Sequence, residues 1–271
     1  MTASDLFDVS GKRVLVTGGA SGIGAMIASG FVGAGAEVII ASRKEESLRE
    51  LTDELSASGR CSYVVADLST EDGCRALGAA VAERWDTLDV LVNNAGASWR
   101  ARFADGGYEN VRRTMAINFD AHVRLTEALL PLVRASAPST IVNMSSTSGR
   151  IARAGAGAYC ASKFALCGWS DALGAEERAN GVNVALVLPG FIHTEGFPQR
   201  GLPNVIVSEP GVVADAIADC VLNGRVERYT PRYYWLAAAL RIALPRAVRW
   251  FTSSTSGSKL VTASRNDDAA A

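Results

Sequence analysis

Short apolar runs alternate with longer amphipathic stretches along most of the chain. Val14-Leu15-Val16 is a β-branched run, and a helical pattern opens at Ala25. Residues 37–41 read as a second strand and 45–57 as a helix. A third strand over 62–66, a helix over 71–85 and a fourth strand over 88–92 follow. Residues 108–135 read as one long helix, 140–144 as the fifth strand, and the next helix carries Tyr159. The sixth strand, 182–188, stops at Pro189-Gly190, and a seventh, shorter one spans 225–229. Strands apolar on both faces and separated by helices belong in a parallel sheet covered on both sides. No repeat or linker interrupts residues 12–230, so the pattern predicts one α/β unit: a doubly wound, Rossmann-type parallel sheet of seven strands with helices on both faces. The expected division is a dinucleotide-binding and catalytic domain over 1–230, a helical extension over 231–251 and a mobile tail over 252–271.

The first strand runs directly into Thr17-Gly18-Gly19-Ala20-Ser21-Gly22-Ile23-Gly24, and a strand follows the next helix. Strand, glycine-rich turn and helix in a complete β-α-β unit aim main-chain N–H groups and a helix N-terminus at phosphate. Gly18, Ser21, Gly22, Ile23 and Gly24 are therefore the candidate cradle for a dinucleotide. The second strand ends in Ala41-Ser42-Arg43-Lys44, where an NAD site usually carries an acid for the ribose 2′-hydroxyl. A guanidinium suits a 2′-phosphate instead, so Arg43 favours NADP(H) over NAD(H). The third strand ends at Asp67-Leu68 and the fourth at Asn93-Asn94-Ala95-Gly96. Carboxyl ends of parallel strands hold the ligand of an open sheet, which makes Asp67 a candidate adenine acceptor and Asn94 a crevice residue. Both residue types are also ordinary turn formers.

Tyr159 and Lys163 stand one helical turn apart, in Tyr159-Cys160-Ala161-Ser162-Lys163. An ammonium beside a phenol favours phenolate and makes the tyrosine usable as a general acid or base. The plainer alternative is a solvated surface pair. Asn118 sits inside the long helix, where its amide competes for backbone bonds and its presence needs a reason.

Composition narrows the classes. A chain of 271 residues with 48% apolar and 20% charged residues is an ordinary globular protein. Its formal charge of -1 gives no basic excess for nucleic acid. The five cysteines are scattered without a CxxC pair, which points to free thiols in a reducing compartment. Residues 1–11 lack the pattern of a signal peptide, so a cytoplasmic protein is expected. Two histidines and scattered cysteines provide no metal-ligand set, and His122 and His193 are read as structural or solvated.

Taken together, the glycine turn, Asn93-Asn94-Ala95-Gly96, the serine run before Gly149, the Tyr159 to Lys163 segment and Pro189-Gly190-Phe191-Ile192-His193-Thr194 resemble the short-chain dehydrogenase/reductase family in order and approximate spacing. The resemblance implies an enzyme that interconverts a carbonyl and an alcohol with a nicotinamide cofactor, commonly as a dimer or tetramer. It selects Ser146 over Ser145, because the family's serine lies thirteen positions before the tyrosine and three before a glycine. It implies an Asn118, Ser146, Tyr159 and Lys163 tetrad, with Tyr159 moving the proton and Ser146 holding the substrate oxygen. Lys163 would lower the Tyr159 pKa and hold the nicotinamide ribose, and Asn118 would position a water linked to Lys163. Ile192 and Thr194 match positions that contact the nicotinamide carboxamide region. A non-catalytic dinucleotide sensor or scaffold of the same fold is the alternative, since fold does not imply function.

Substrate choice falls to the loops 97–107, 147–158 and 191–210, which hold Trp99, Phe103, Phe191, Phe197 and Leu202. They suggest an apolar pocket, with Arg100, Arg102, Arg150 and Arg153 nearby. Residues 225–251 place six arginines against one acid, Glu227, and the segment 231–251 is apolar with aromatics at both ends. It is too short and arginine-marked to span a bilayer, and reads either as a helix packed on the substrate entrance or a subunit partner, or as one lying on an anionic membrane surface.

Overall fold

β1 (Arg13–Thr17) lies at the middle of a seven-stranded parallel sheet and pairs with β2 (Glu37–Ser42) on one side and β4 (Val90–Asn93) on the other. The computed structural model describes residues 9–57, 59–192, 207–209 and 211–253. β3 (Arg60–Val65) extends the sheet beyond β2, while β5 (Ser139–Met144), β6 (Val182–Pro189) and β9 (Glu227–Thr230) extend it beyond β4, giving the order β3-β2-β1-β4-β5-β6-β9. A doubly wound sheet with this order reverses direction between β1 and β4, and a crevice opens at that switch point.

Alternation along the strands builds two cores. Val14, Val16, Val38 and Ile40 face α1 (Gly22–Gly33) and α7 (Gly211–Asn223), with Phe31 and Ile217 buried against them. Leu15, Ile39, Leu91 and Ile141 face the other way, onto Leu77 of α3 (Glu71–Arg84) and Leu125 and Leu129 of α5 (Ala121–Ala135). α2 (Glu45–Ser56) covers the β2–β3 end, contributing Leu48 and Leu55. A buried polar chain crosses the sheet between these layers: Asn93 donates to Thr126 and to Asn143 Oδ1 at 2.9 Å, and Asn143 donates to Ser170 at 2.8 Å. Ser170 belongs to α6 (Gly157–Glu177), so the chain fixes the active helix against the ends of β4 and β5.

The stretch 108–135 departs from the single helix its periodicity suggests. It divides into α4 (Phe103–Met115), a π turn at Ala116–Asp120 and α5. The π turn contains Asn118, and its side chain explains the insertion: the amide reaches out of the helix to the main chain of Ala97. Several boundaries also shift. α1 opens at Gly22, β3 begins at Arg60, and β4 runs from Val90 into Asn93. A two-stranded parallel ribbon, β7 (Phe191–Ile192) with β8 (Val207–Ser208), lies beyond β6. The extension forms two helices, α8 (Tyr234–Ala243) and α9 (Pro245–Ser253), because Pro245 has no N–H for the turn before it.

Replacing Asn143 with alanine removes one buried hydrogen bond each from Asn93 and Ser170 and leaves a void between them. Urea unfolding should report a loss of about 1–3 kcal/mol through a lower midpoint at unchanged slope.

Candidate active site

The carboxyl ends of β1 and β4 are stitched together by one hydroxyl. Thr17 Oγ1 accepts from the main-chain N–H of Asn94 at 2.9 Å and of Ala95 at 3.0 Å, and donates to Val92 O at 3.2 Å. Asn94 returns the contact, its Nδ2 donating to Thr17 O at 2.9 Å and Gly18 O at 3.3 Å. The glycines allow this closeness. Gly18 has φ 64°, and a Cβ on Gly24 would sit 2.0 Å from Gly18 O. Thr17 escaped attention in the sequence because a threonine ending a strand carries no distinctive spacing.

A cleft of about 730 Å³ opens here, lined by Gly18, Ser21 to Gly24, Leu68 and Asn94, with Arg43, Lys44, Arg112 and Arg113 at its side. No aspartate or glutamate lines it among the described residues. α1 begins with no acid in its first turn and no side-chain cap from Ser21, so its first N–H groups are left for an anion, whereas Thr70 caps α3. Arg112 is held by Glu109, Arg113 stacks 4.7 Å over Trp99, and neither was singled out in the sequence because each reads as an ordinary helix-surface charge. Asp67, the expected adenine acceptor, follows β3 and has one carboxylate oxygen engaged locally. Its Oδ1 accepts from the Ser69 main chain at 3.0 Å and the Ser69 hydroxyl at 2.7 Å, closing the turn into α3, and it does not line the cleft. Burial alone would raise its pKa, but the Ser69 hydrogen bonds and Arg43 outweigh it and hold the carboxyl below its ordinary value.

Beyond Asn94 the cleft continues into a second cavity of about 230 Å³. Asn118, Ser146, Tyr159 and Lys163 all line it, as do Phe191 and Ile192. Ser146 accepts from Ser148 N at 3.1 Å and donates to Pro189 O at 3.4 Å, and its hydroxyl acts to lower the pKa of Tyr159 in the same cavity. Ser145 points its hydroxyl at Lys163 O, 3.3 Å away, and at Cys167, so it serves the packing of α6. Asn118 is fully buried: its Nδ2 donates to Ala97 O at 2.8 Å and to Ser162, and its Oδ1 accepts from Ala97 N at 2.8 Å.

Lys163 Nζ donates to Met144 O at 2.7 Å and lies 5.9 Å from the centre of the Tyr159 ring. Burial pushes its pKa down to about 8. Burial also pushes the Tyr159 phenol up, and the opposing influences are the Ser146 hydrogen bond and the Arg153 and Arg100 charges. The largest influences on Tyr159 come from burial, Ser146 and Arg153, while the Lys163 ammonium donates to the end of β5. Thr194 and His193, with Phe197 and Leu202, lie outside the described residues. Among the other aromatics, Phe103 is exposed and Trp99 lines the larger cleft, leaving Phe191 as the aromatic wall beside Tyr159.

The chain belongs to the short-chain dehydrogenase/reductase family: the family described as short chain dehydrogenase matches residues 12–201. It is an NAD(P)-dependent oxidoreductase by that membership. It is similar to the rhamnolipids biosynthesis 3-oxoacyl-[acyl-carrier-protein] reductase of Pseudomonas aeruginosa, with 37% identity over 215 residues covering 78% of this chain and 82% of the relative. It also resembles dehydrogenase/reductase SDR family member 7B of Mus musculus at 36% identity, a match covering 67% of this chain and 58% of that protein. Among solved structures, the Pseudomonas aeruginosa RhlG/NADP active-site complex superposes with a TM-score of 0.75 at 33% identity, over 81% of this chain and 94% of that one.

His122 sits behind the site, fully buried, its Nε2–H donating to Ala95 O at 2.8 Å. Burial and the nearby Lys163 charge hold its pKa down to about 3. An unfolded histidine binds its proton near pH 6.5, so the stability this site contributes is complete above that value and is lost as pH falls towards 3. Chemical denaturation of wild type and His122→Gln should show the wild type losing about 3 kcal/mol more between neutral pH and about pH 4.

Proposed function

We propose that this chain is an NADP(H)-dependent oxidoreductase that interconverts a ketone or aldehyde and an alcohol, with Tyr159 as the general acid in reduction and the general base in oxidation. The observation that carries the reading is the gathering of Asn118, Ser146, Tyr159 and Lys163 in one cavity continuous with the glycine-turn cleft. When bound, the nicotinamide dinucleotide supplies or accepts the hydride.

The residues around the clefts fit such a cofactor. The turn from Gly18 to Gly24 and the open first turn of α1 suit its pyrophosphate. Arg43, with Lys44 beside it, suits a 2′-phosphate, and the acid-free lining of the cleft supports NADP(H) over NAD(H). Leu68 would border the adenine, Lys163 would hold the nicotinamide ribose, and Ile192 and Thr194 would meet the carboxamide end.

Ser146 donates to the substrate oxygen and stabilises the charge that develops on it. Tyr159 gives that oxygen its proton, and the raised phenol pKa keeps the proton in place at neutral pH, which suits reduction. Arg100 and Arg153 ease the return to phenolate. Asn118 holds Ala97 against α6 and would position a water linked to Lys163. The substrate is a mainly apolar carbonyl compound resting on Phe191, Ile192 and Met144.

Tyr159→Phe should reduce kcat for a carbonyl substrate by at least about 100-fold while NADPH titrates with unchanged affinity; retained turnover would sink the acid–base assignment. Arg43→Asp should weaken NADPH at least about ten-fold and spare NADH. Tighter NADH than NADPH binding by the wild type would reverse the cofactor assignment.

A further inference from the structure

The extension beyond β9 breaks the usual rule for surface helices, which turn their apolar stripe inward. α8 buries only Ala238. Its inward side carries Tyr234 and Ala238, the angular positions of Leu236, Ala239, Leu240 and Ala243 place them on the opposite side, and Trp235 and Ile242 stand at the flank between the two. Ile242 is 82% exposed and Trp235 57% exposed. Among the described side chains of α9, residues 245–252, none is buried. Leu244, Ala247, Val248 and Phe251 recur at helical spacing to form its apolar stripe, and Trp250 beside it is 73% exposed. No other region of the described chain gathers so many large apolar side chains in solvent.

Charge indicates what covers this surface. The two helices carry Arg241, Arg246 and Arg249 and no acid. A second copy meeting the face through a two-fold axis would bring six guanidinium groups to one interface without carboxylates from these helices. An anionic lipid headgroup layer removes that conflict: it accepts the arginines, while tryptophans and aliphatic side chains enter the headgroup boundary. Neither helix is long and apolar enough to cross a membrane, so the contact lies in the plane of the surface.

We propose that α8 and α9 form a peripheral docking face for an anionic membrane surface. The face is joined to the active site. Tyr234, the first residue of α8, hydrogen-bonds the main chain of Phe191, and a Cβ on Gly190 would sit 2.2 Å from its ring. Gly190 and Phe191 line the Tyr159 cavity, so docking sets that cavity beside the lipid phase, where an apolar carbonyl compound concentrates.

Flotation of the full-length protein with phosphatidylcholine vesicles, with and without phosphatidylglycerol, tests the proposal. The wild type should float with the phosphatidylglycerol vesicles, bind pure phosphatidylcholine at least about ten-fold more weakly, and release as salt rises. The variant Trp235→Ser/Ile242→Asp/Trp250→Ser should lose at least about ten-fold in vesicle binding while keeping NADPH affinity and oligomer mass. Absence of flotation, or flotation unchanged by the variant, overturns the proposal. A variant that lowers the oligomer mass while the wild type ignores vesicles assigns the face to a second copy and overturns it equally. NADPH affinity and carbonyl turnover are read separately, so failure here leaves the oxidoreductase reading distinguishable.

Discussion

Everything in the site hangs on the closeness of two strand ends. β1 and β4 pair along their length, and beyond the last pair Thr17 and Asn94 hold the glycine turn against the following loop. Four hydrogen bonds in this knot satisfy main-chain groups that would otherwise be stranded at the sheet edge. The spacing is so tight that side chains are excluded at Gly18 and Gly24. From this point the chain departs in two directions: one leads into the open N-terminus of α1, the other to Ala97, which Asn118 clasps. The glycine-turn cleft and the tyrosine cavity are thus two sides of one junction, and their separation is set by the sheet rather than by loops.

The polar interior near this junction has a division of labour. Asn93, Asn143 and Ser170 spend their hydrogen bonds on one another and on neighbouring elements, making a fixed floor. Ser146 and Tyr159 stand above that floor and keep contacts with each other and the cavity. Lys163 lies between the two groups, buried yet bonded to a strand carbonyl. Burial raises the phenol and lowers the ammonium, so both groups are biased toward their neutral forms before anything is bound.

Much of this was legible from residue order. β-branched runs between amphipathic stretches gave the strand and helix types, and local motifs marked the glycine turn, Asn94 and the Tyr159 segment. What escaped was non-local. The π turn at Ala116–Asp120 exists because Asn118 must reach Ala97 twenty-one positions away, and periodicity carries no trace of such a reach. Arg112 and Arg113 reach the cleft through the placement of α4, which no spacing rule encodes. The direction of the Tyr159 pKa depends on burial and on arginines from two separate loops.

Among its described side chains α9 buries none, so its helical hydrogen bonds open without disturbing either core. That makes the end of the chain energetically separable from the sheet. Substitutions there escape the packing constraints that govern residues such as Leu129 or Ile39, and act on the solvent boundary alone. The sheet body and its outer helix can therefore be varied independently, so the choice of residues at the outer helix answers to what meets the surface and not to the fold.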